Sequence, residues 1–215
     1  MTDGGPATAT VLKERHKRGA TKRRMLVSAA EVLRERGAAG VTIDEVLSRS
    51  GAPRGSVYHH FPRGRSQILL EALQFAGDSM TSAIDDAATQ GPMALLRGFV
   101  DLWENVLQDS DFTAGCPVVA AAISASDEGA QLGGDASRIF DRWRAALTRS
   151  FVADGFGESE AASLAITMLA AIEGAVILCR SLRSPQPLRD VAENLEFLVN
   201  GKQFVSRFGR PLAAR

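Results

Sequence analysis

Arg54, Ser56, Tyr58, His59 and His60 set a guanidinium, a hydroxyl, a phenol and two imidazoles within seven residues. These groups make hydrogen bonds. The planar fork of Arg54 suits two acceptors at once, and the others suit single acceptors such as phosphate oxygens. Gly55 lets the backbone itself come close to a partner. Covalent catalysis has little to work with. The three histidines, His16, His59 and His60, all fall in the first third of the chain, and there is no Gly-rich phosphate loop and no metal-ligand spacing. Adjacent helical residues such as His59 and His60 point about 100° apart, so they make no metal site without further ligands. No catalytic residue, metal or cofactor is expected.

The surrounding residues predict two short helices joined by a tight turn. Thr42 and Glu45 have capping-box spacing: the Thr hydroxyl takes an orphan N–H of the first turn while the Glu reaches back. Ile43, Val46 and Leu47 then share one face. Gly51 suits the left-handed position that ends a helix. Pro53 suits the first turn of a second helix, Arg54 to His60, which points Val57 and Phe61 one way and its polar residues elsewhere. A second helix set across a first, with a polar outer face, is the helix-turn-helix unit.

Here the stretch resembles the DNA-binding segment of the TetR family of bacterial repressors. Ser50, Gly51, Ala52, Pro53, Gly55, Ser56, Val57, Tyr58, His60 and Phe61 all fit the family pattern. Two departures stand out. Pro53 occupies a position where the family usually has Ser or Thr, which removes a side-chain N-cap. The link Phe61-Pro62-Arg63-Gly64-Arg65 is slightly longer than usual and carries Arg65 where Lys is common. That link is similar to the LmrA-like subgroup, associated with multidrug-resistance regulation.

The resemblance implies an all-α protein: an N-terminal three-helix DNA-binding domain at residues 20–65 and a helical ligand-binding and dimerisation bundle at 66–209. Arg54 is the first candidate for base reading, because its fork matches guanine O6 and N7. Gly55 and Ser56 permit close approach. Tyr58 and His60 occupy positions that contact phosphate in the family, although Tyr58 could instead pack with only its hydroxyl exposed. His59, at a variable family position, could contact a base or a phosphate. Thr42 sits at a helix start, where anions are favoured, and Arg65 would take the phosphate role of the usual Lys.

Charge follows the same division. The net charge is zero, but residues 1–65 hold 13 Lys/Arg against 6 Asp/Glu, and the remainder is correspondingly acidic. A basic front on an acidic body fits a polyanion-binding module on a body that does not bind polyanions. Residues 1–19 read as a basic arm with little fixed structure, either touching DNA or simply solvated. A first helix is expected from Thr21 to Arg36, ended by Gly37 and Gly40. Two cysteines, Cys116 and Cys179, are too few for a disulfide framework and suit a reducing cytosol. No apolar segment follows the start, as a secretory signal would need, and Glu173 interrupts the most apolar run, so a cytoplasmic protein without membrane spans is expected.

Beyond Arg65 the periodicity stays helical, giving about nine helices in all. The helix from Met93 to Leu107 is apolar almost all round and is expected at the centre of a bundle. Residues 126–135, with Gly133-Gly134, are the least legible. Phe99, Trp103, Phe112, Phe140, Trp143 and Met168 are candidates to line a ligand cavity, each being equally suited to plain core. Glu173, a carboxylate inside an apolar run, would pair with an arginine, face a dimer partner or meet a ligand; pairing is the first expectation.

In the family the last two helices form the homodimer interface, which would involve Ala171, Ala175, Leu182, Leu188, Val191, Leu195 and Leu198. Their alternative is an ordinary core. The expected function is a homodimeric repressor on a double-stranded palindromic operator, released by a small apolar or aromatic effector. The alternative switch is thiol oxidation at Cys116 and Cys179.

Overall fold

The computed structural model describes residues 7–124 and 129–208. Among these residues there are nine helices and no strand: α1 (Ala7–Gly40), α2 (Ile43–Ser50), α3 (Ser56–His60), α4 (Arg65–Ala88), α5 (Pro92–Asp109), α6 (Pro117–Ala122), α7 (Gly129–Ala153), α8 (Glu158–Leu182) and α9 (Gln186–Phe208). α1 packs on α2, α4 and α6. α7 packs on α4, α6 and α8, and α9 lies along α8 and α5.

Three expectations need correcting, and one stretch left unread is resolved. The first helix begins at Ala7, not near Thr21, so residues 7–19 are helical; the sequence there is rich in Ala, Lys, Arg and Glu, all strong helix formers. Residues 1–6 lie outside the described residues. Helical geometry breaks at Gly37 as expected (φ 70°). α3 starts at Ser56, and Pro53 to Gly55 form a turn closed by Ser56 N–H donating to Pro53 O at 2.9 Å. The helical reading segment is therefore shorter than the seven residues expected.

α7 runs through Gly133-Gly134. Two glycines cost a helix about 1 kcal/mol each relative to alanine. The flanking Leu132 and Ala136 are buried in the core, which offsets that cost. α5 is not the centre of the bundle: Leu95, Leu96, Trp103 and Leu107 are buried, but Leu102 is exposed. The central position belongs to α7, held between α4 and α8.

Val57 and Phe61 are fully buried and join Met25, Leu33, Val46 and Ile68 in one apolar core beneath the helix pair. Charge pairs tie α2 to α1. Arg49 meets Glu35 at 2.8 Å and Glu45 at 2.8 Å, and Arg36 meets Glu45 at 3.3 Å. The Arg49 hydrogen bond holds the Glu45 carboxyl below its usual range.

A reading unit and two cavities

Thr42 caps α2: its hydroxyl accepts the Glu45 N–H at 3.1 Å. Only half of the expected capping box forms, because Glu45 turns to Arg49 and Arg36, and the Thr42 N–H goes to Gly40 O at 3.0 Å. Gly51 ends α2 at φ 62°, with its N–H on Leu47 O. A side chain there would be strained, so glycine fixes the turn that sets α3 across α2.

The polar residues of the turn and α3 face outward. Arg54 is exposed and pairs with Asp44 at 2.8 Å, both side chains being about three-quarters accessible. Tyr58 is 64% exposed, so core packing does not account for it. His59 is exposed beside half-buried His60, their rings edge to face at 5.0 Å. No group of three or more His, Cys, Asp or Glu among the described residues could hold a metal ion. Gly55 is exposed, and the Ser56 hydroxyl donates to Pro53 O at 2.6 Å. Arg65 is placed differently: its Nε donates to Val41 O at 2.8 Å and its Nη2 to Ala38 O at 2.7 Å. It staples the α1–α2 connection to the start of α4, a role the family position of a phosphate-binding Lys did not suggest.

The body holds two adjoining cavities. The larger, about 340 Å³, lies between α1, α4, α5 and α6, lined by Val27, Ala30, Phe75, Met80, Trp103 and Val106, among others. It falls in the size range of small-molecule sites, roughly 300–1,000 Å³. The smaller, about 20 Å³, is lined by Phe99, Trp103, Trp143, Met168 and Glu173. Five of the seven sequence candidates thus meet, but around the smaller compartment, and only Trp103 also faces the larger. Phe112 and Phe140 line neither. Phe140 instead packs edge-on against Trp143 at 5.5 Å. The α1 and α4 residues of the larger cavity were missed, because nothing local in the sequence says that the apolar stripe of α1 also faces the body.

Glu173 has not formed the expected ion pair. Its Oε2 is fully buried without a hydrogen-bond partner. Burial raises its pKa to about 7, and a hydrogen bond from the Cys116 thiol offsets part of that rise. Burial first, then the nearby Glu173 charge, pushes the Cys116 thiol well above its usual range; Cys179 is buried and raised too. Oxidation proceeds through the thiolate, which both sites disfavour.

Two hydrogen bonds join the C-terminal end of α1 to the body, and a third anchors the same arginine within the body. Gly115 N–H donates to Arg34 O at 2.9 Å. Arg180 of α8 donates to Glu35 O at 3.3 Å and to Thr113 O at 2.7 Å. A Cβ at Gly115 would stand 2.7 Å from Arg180 Nη1, so a side chain there would push the guanidinium aside. These donors satisfy carbonyls that a helix end leaves orphaned.

Of the residues proposed for dimerisation, Ala175, Leu188 and Leu195 are buried inside one protomer. The aliphatic seam of α9 packs on its own α8 and α5, because that is where the apolar area of the protomer core lies. Ala171, Val191 and Leu198 are half-buried, and Leu182 is exposed. The exposed apolar residues of these helices are Ile166, Ile177, Leu178 and Leu182 on α8, and Phe197, Phe204 and Val205 on α9. By length and composition α8 could cross a membrane, and 44% of its apolar window is buried here; with one side against α7 and α9 it serves as a core helix.

Two crossed short helices turning hydrogen-bonding side chains outward, on a helical base, define a helix-turn-helix transcriptional regulator. Comparison with known proteins gives the family. The model for bacterial regulatory proteins of the tetR family matches residues 25–72, and the C-terminal domain model of LmrA/YxaF-like transcriptional regulators matches residues 92–194. The HTH-type transcriptional regulator Rv0196 of Mycobacterium tuberculosis is 40% identical over 183 residues, covering 83% of this chain and 93% of that protein. LmrA of Bacillus subtilis is 24% identical over 183 residues, covering 84% and 97%. The chain therefore belongs to the TetR family, on its LmrA/YxaF-like branch, and is a DNA-binding regulator, not an enzyme. The fold is shared with a TetR regulatory protein of Rhodobacter sphaeroides, TM-score 0.72 at 22% identity over 80% of this chain and 95% of that one.

Proposed function

We propose that the protein is a homodimeric, cytoplasmic repressor whose hold on a palindromic operator is released by a small apolar or aromatic effector. Residues 20–65 read DNA and residues 66–209 bind the effector and dimerise. One observation carries this reading: the 340 Å³ apolar cavity is walled on one side by α1, the helix that also packs against the reading unit. Whatever fills the cavity therefore presses on the element that aims α2 and α3.

The turn and α3 are short, and a helix this size spans only a few base pairs of a groove about 12 Å wide. Two copies held on a dyad supply the missing specificity, with half-sites spaced about 34 Å or somewhat more. The exposed apolar faces of α8 and α9, including Ile166, Leu178, Leu182 and Phe197, are the surfaces for that pairing. Arg54 reads bases; Tyr58, His59, His60 and Thr42 supply phosphate contacts. The Arg180 and Gly115 bonds to the end of α1 transmit cavity occupancy to the reading unit. An effector can shift the equilibrium only by its differential affinity for the two states, and a ~100-fold loss of operator affinity needs about 2.7 kcal/mol of coupling.

Selection of bound duplexes from a random pool at near-physiological salt tests the reading. An enriched inverted repeat is the expected result. Binding that enriches no sequence and collapses as salt rises would reduce the unit to a non-specific phosphate binder. In mobility shifts on the recovered repeat, Arg180→Met is expected to blunt effector-driven release while leaving effector binding intact. Unchanged release would remove the Arg180 junction from the mechanism.

A further inference from the structure

We propose that the effector is an organic cation: an apolar or aromatic body lodged in the cavity between α1, α4, α5 and α6, with an ammonium group reaching Glu173. This rests on the effector-cavity reading and names the chemistry of the ligand.

Glu173 Oε2 is fully buried and has no partner. A buried carboxylate oxygen without a donor is costly to keep, and nothing in the protomer's packing repays it. The compartment beside it is lined by Met80, Phe99, Trp103, Trp143, Leu147 and Met168, among others, and Glu173 is its only charged residue. A carboxylate among the faces and edges of three aromatic rings is a setting that attracts a cation and offers a neutral ligand little. At about 20 Å³ the compartment has room for little more than one water. It shares Met80 and Trp103 with the 340 Å³ cavity, so those two side chains are the partition. Methionine adapts its shape readily, and its displacement joins the two spaces.

The charged groups on the other side of Glu173 do not already fill this role. A cleft of about 520 Å³ there is lined by Arg34, Glu35 and Arg36 of α1, Cys116 before α6, and Arg180 of α8. Arg34 also lines the 340 Å³ cavity together with Glu31, so that cavity's own two charges are of opposite sign and Glu173 is left as the charge of the inner compartment. Arg180 is committed to the Glu35 and Thr113 carbonyls. Arg34 Nε is itself buried without a partner, so the two unsatisfied groups have not paired. The Cys116 thiol stays protonated and contributes one weak hydrogen bond. A carboxyl that titrates near neutrality is what burial without a counter-ion produces.

Trp103 and Trp143 are the two tryptophans of the chain, and both line the compartment, so intrinsic fluorescence reads its occupancy. The full-length protein is titrated with 3-phenylpropylamine and with its neutral isostere 3-phenylpropanol, with calorimetry as a second readout. At about pH 8 the amine is expected to bind at least tenfold more tightly, and Glu173→Gln to remove that preference while leaving the alcohol's affinity nearly unchanged. Between about pH 6 and 8 the amine remains protonated, so its affinity should rise roughly tenfold as Glu173 ionises, and stay flat in Glu173→Gln. None of the three histidines, at positions 16, 59 and 60, lines the compartment or the larger cavity.

Equal affinity for the amine and the alcohol, or a preference that survives Glu173→Gln, overturns the cation and leaves the cavity as a site for neutral ligands. Alcohol binding that strengthens as the pH falls also overturns it, marking protonated Glu173 as a hydrogen-bond donor. If neither compound binds by fluorescence or calorimetry, the effector-cavity reading falls, and this proposal with it.

Discussion

Around Arg54 the protein keeps its polar chemistry on the outside, over a filled core; around Glu173 it keeps one polar group on the inside, beside space. Arg54 already has a partner, Asp44, in a pair that water surrounds and that costs little to exchange for DNA. Glu173 Oε2 has none within the protein. The reading unit can therefore be complete in a single protomer before its target arrives. The compartment around Glu173 is incomplete until something supplies a donor. Substitutions at the two places should differ in kind: loss of core or specificity in the first, gain of stability in the second.

The largest effect is expected beneath the reading unit. Phe61 is fully buried, and the Lys22 ammonium lies 5.3 Å from the centre of its ring. Phe61→Ala should cost about 3–5 kcal/mol, seen as a lower unfolding midpoint in urea together with loss of operator binding. A stable variant that still bound its operator would mean that the unit does not depend on its core.

Glu173 should behave in the opposite way. Its carboxyl titrates at about 7 when folded, against about 4.5 when free. Between those values the folded protein binds more protons than the unfolded chain, so stability falls as the pH rises. Stability present below pH 4.5 is lost through pH 7, up to about 3 kcal/mol in total. Glu173→Gln should abolish this part of the pH dependence and be more stable than the parent at pH 8, measured by denaturation across the pH range. A variant less stable than the parent at pH 8 would mean that the ionised carboxylate has a partner in solution.

The same contrast explains what the sequence could tell. The reading unit is built from residues close along the chain, so capping, the left-handed glycine and the Val57–Phe61 pair are visible as spacing. What escaped even there was non-local: Glu45 is drawn to Arg36 and Arg49, and Arg65 is spent on the Ala38 and Val41 carbonyls. In the body almost everything is non-local. Periodicity shows that α9 has an aliphatic seam but not which neighbour it meets, a second protomer or the protomer's own core, where Leu188 and Leu195 are buried. Glu173 was legible as an anomaly, a carboxylate in an apolar run. Its lack of an arginine partner was not, since that depends on where α1 and α8 bring Arg34 and Arg180.

Arg54 and Arg65 sharpen the distinction with one residue type. Arg54→Ala should lower affinity for the selected operator by about 1–3 kcal/mol and leave the unfolding midpoint almost unchanged, because an exposed pair contributes little. Arg65→Met should lower stability by about 1–3 kcal/mol, since two carbonyls lose a charged donor. Reversed results would exchange their assignments, making Arg65 the contact and Arg54 the staple. Competition binding against random duplex, with parallel thermal denaturation, separates the two.

The smallest effect is expected at Thr42, where both kinds of role meet in one hydroxyl. In the free protein that hydroxyl caps α2 through the Glu45 N–H. Thr42→Ala should cost about 1 kcal/mol of stability, and Thr42→Ser should restore it, since only the oxygen caps. A phosphate contact positions the protein without reading sequence. Thr42→Ala should therefore weaken the operator and random duplex by the same factor, unlike Arg54→Ala, which should weaken the operator selectively. A loss confined to the operator would move Thr42 from positioning the unit to reading bases, and with it the start of α2 into the groove.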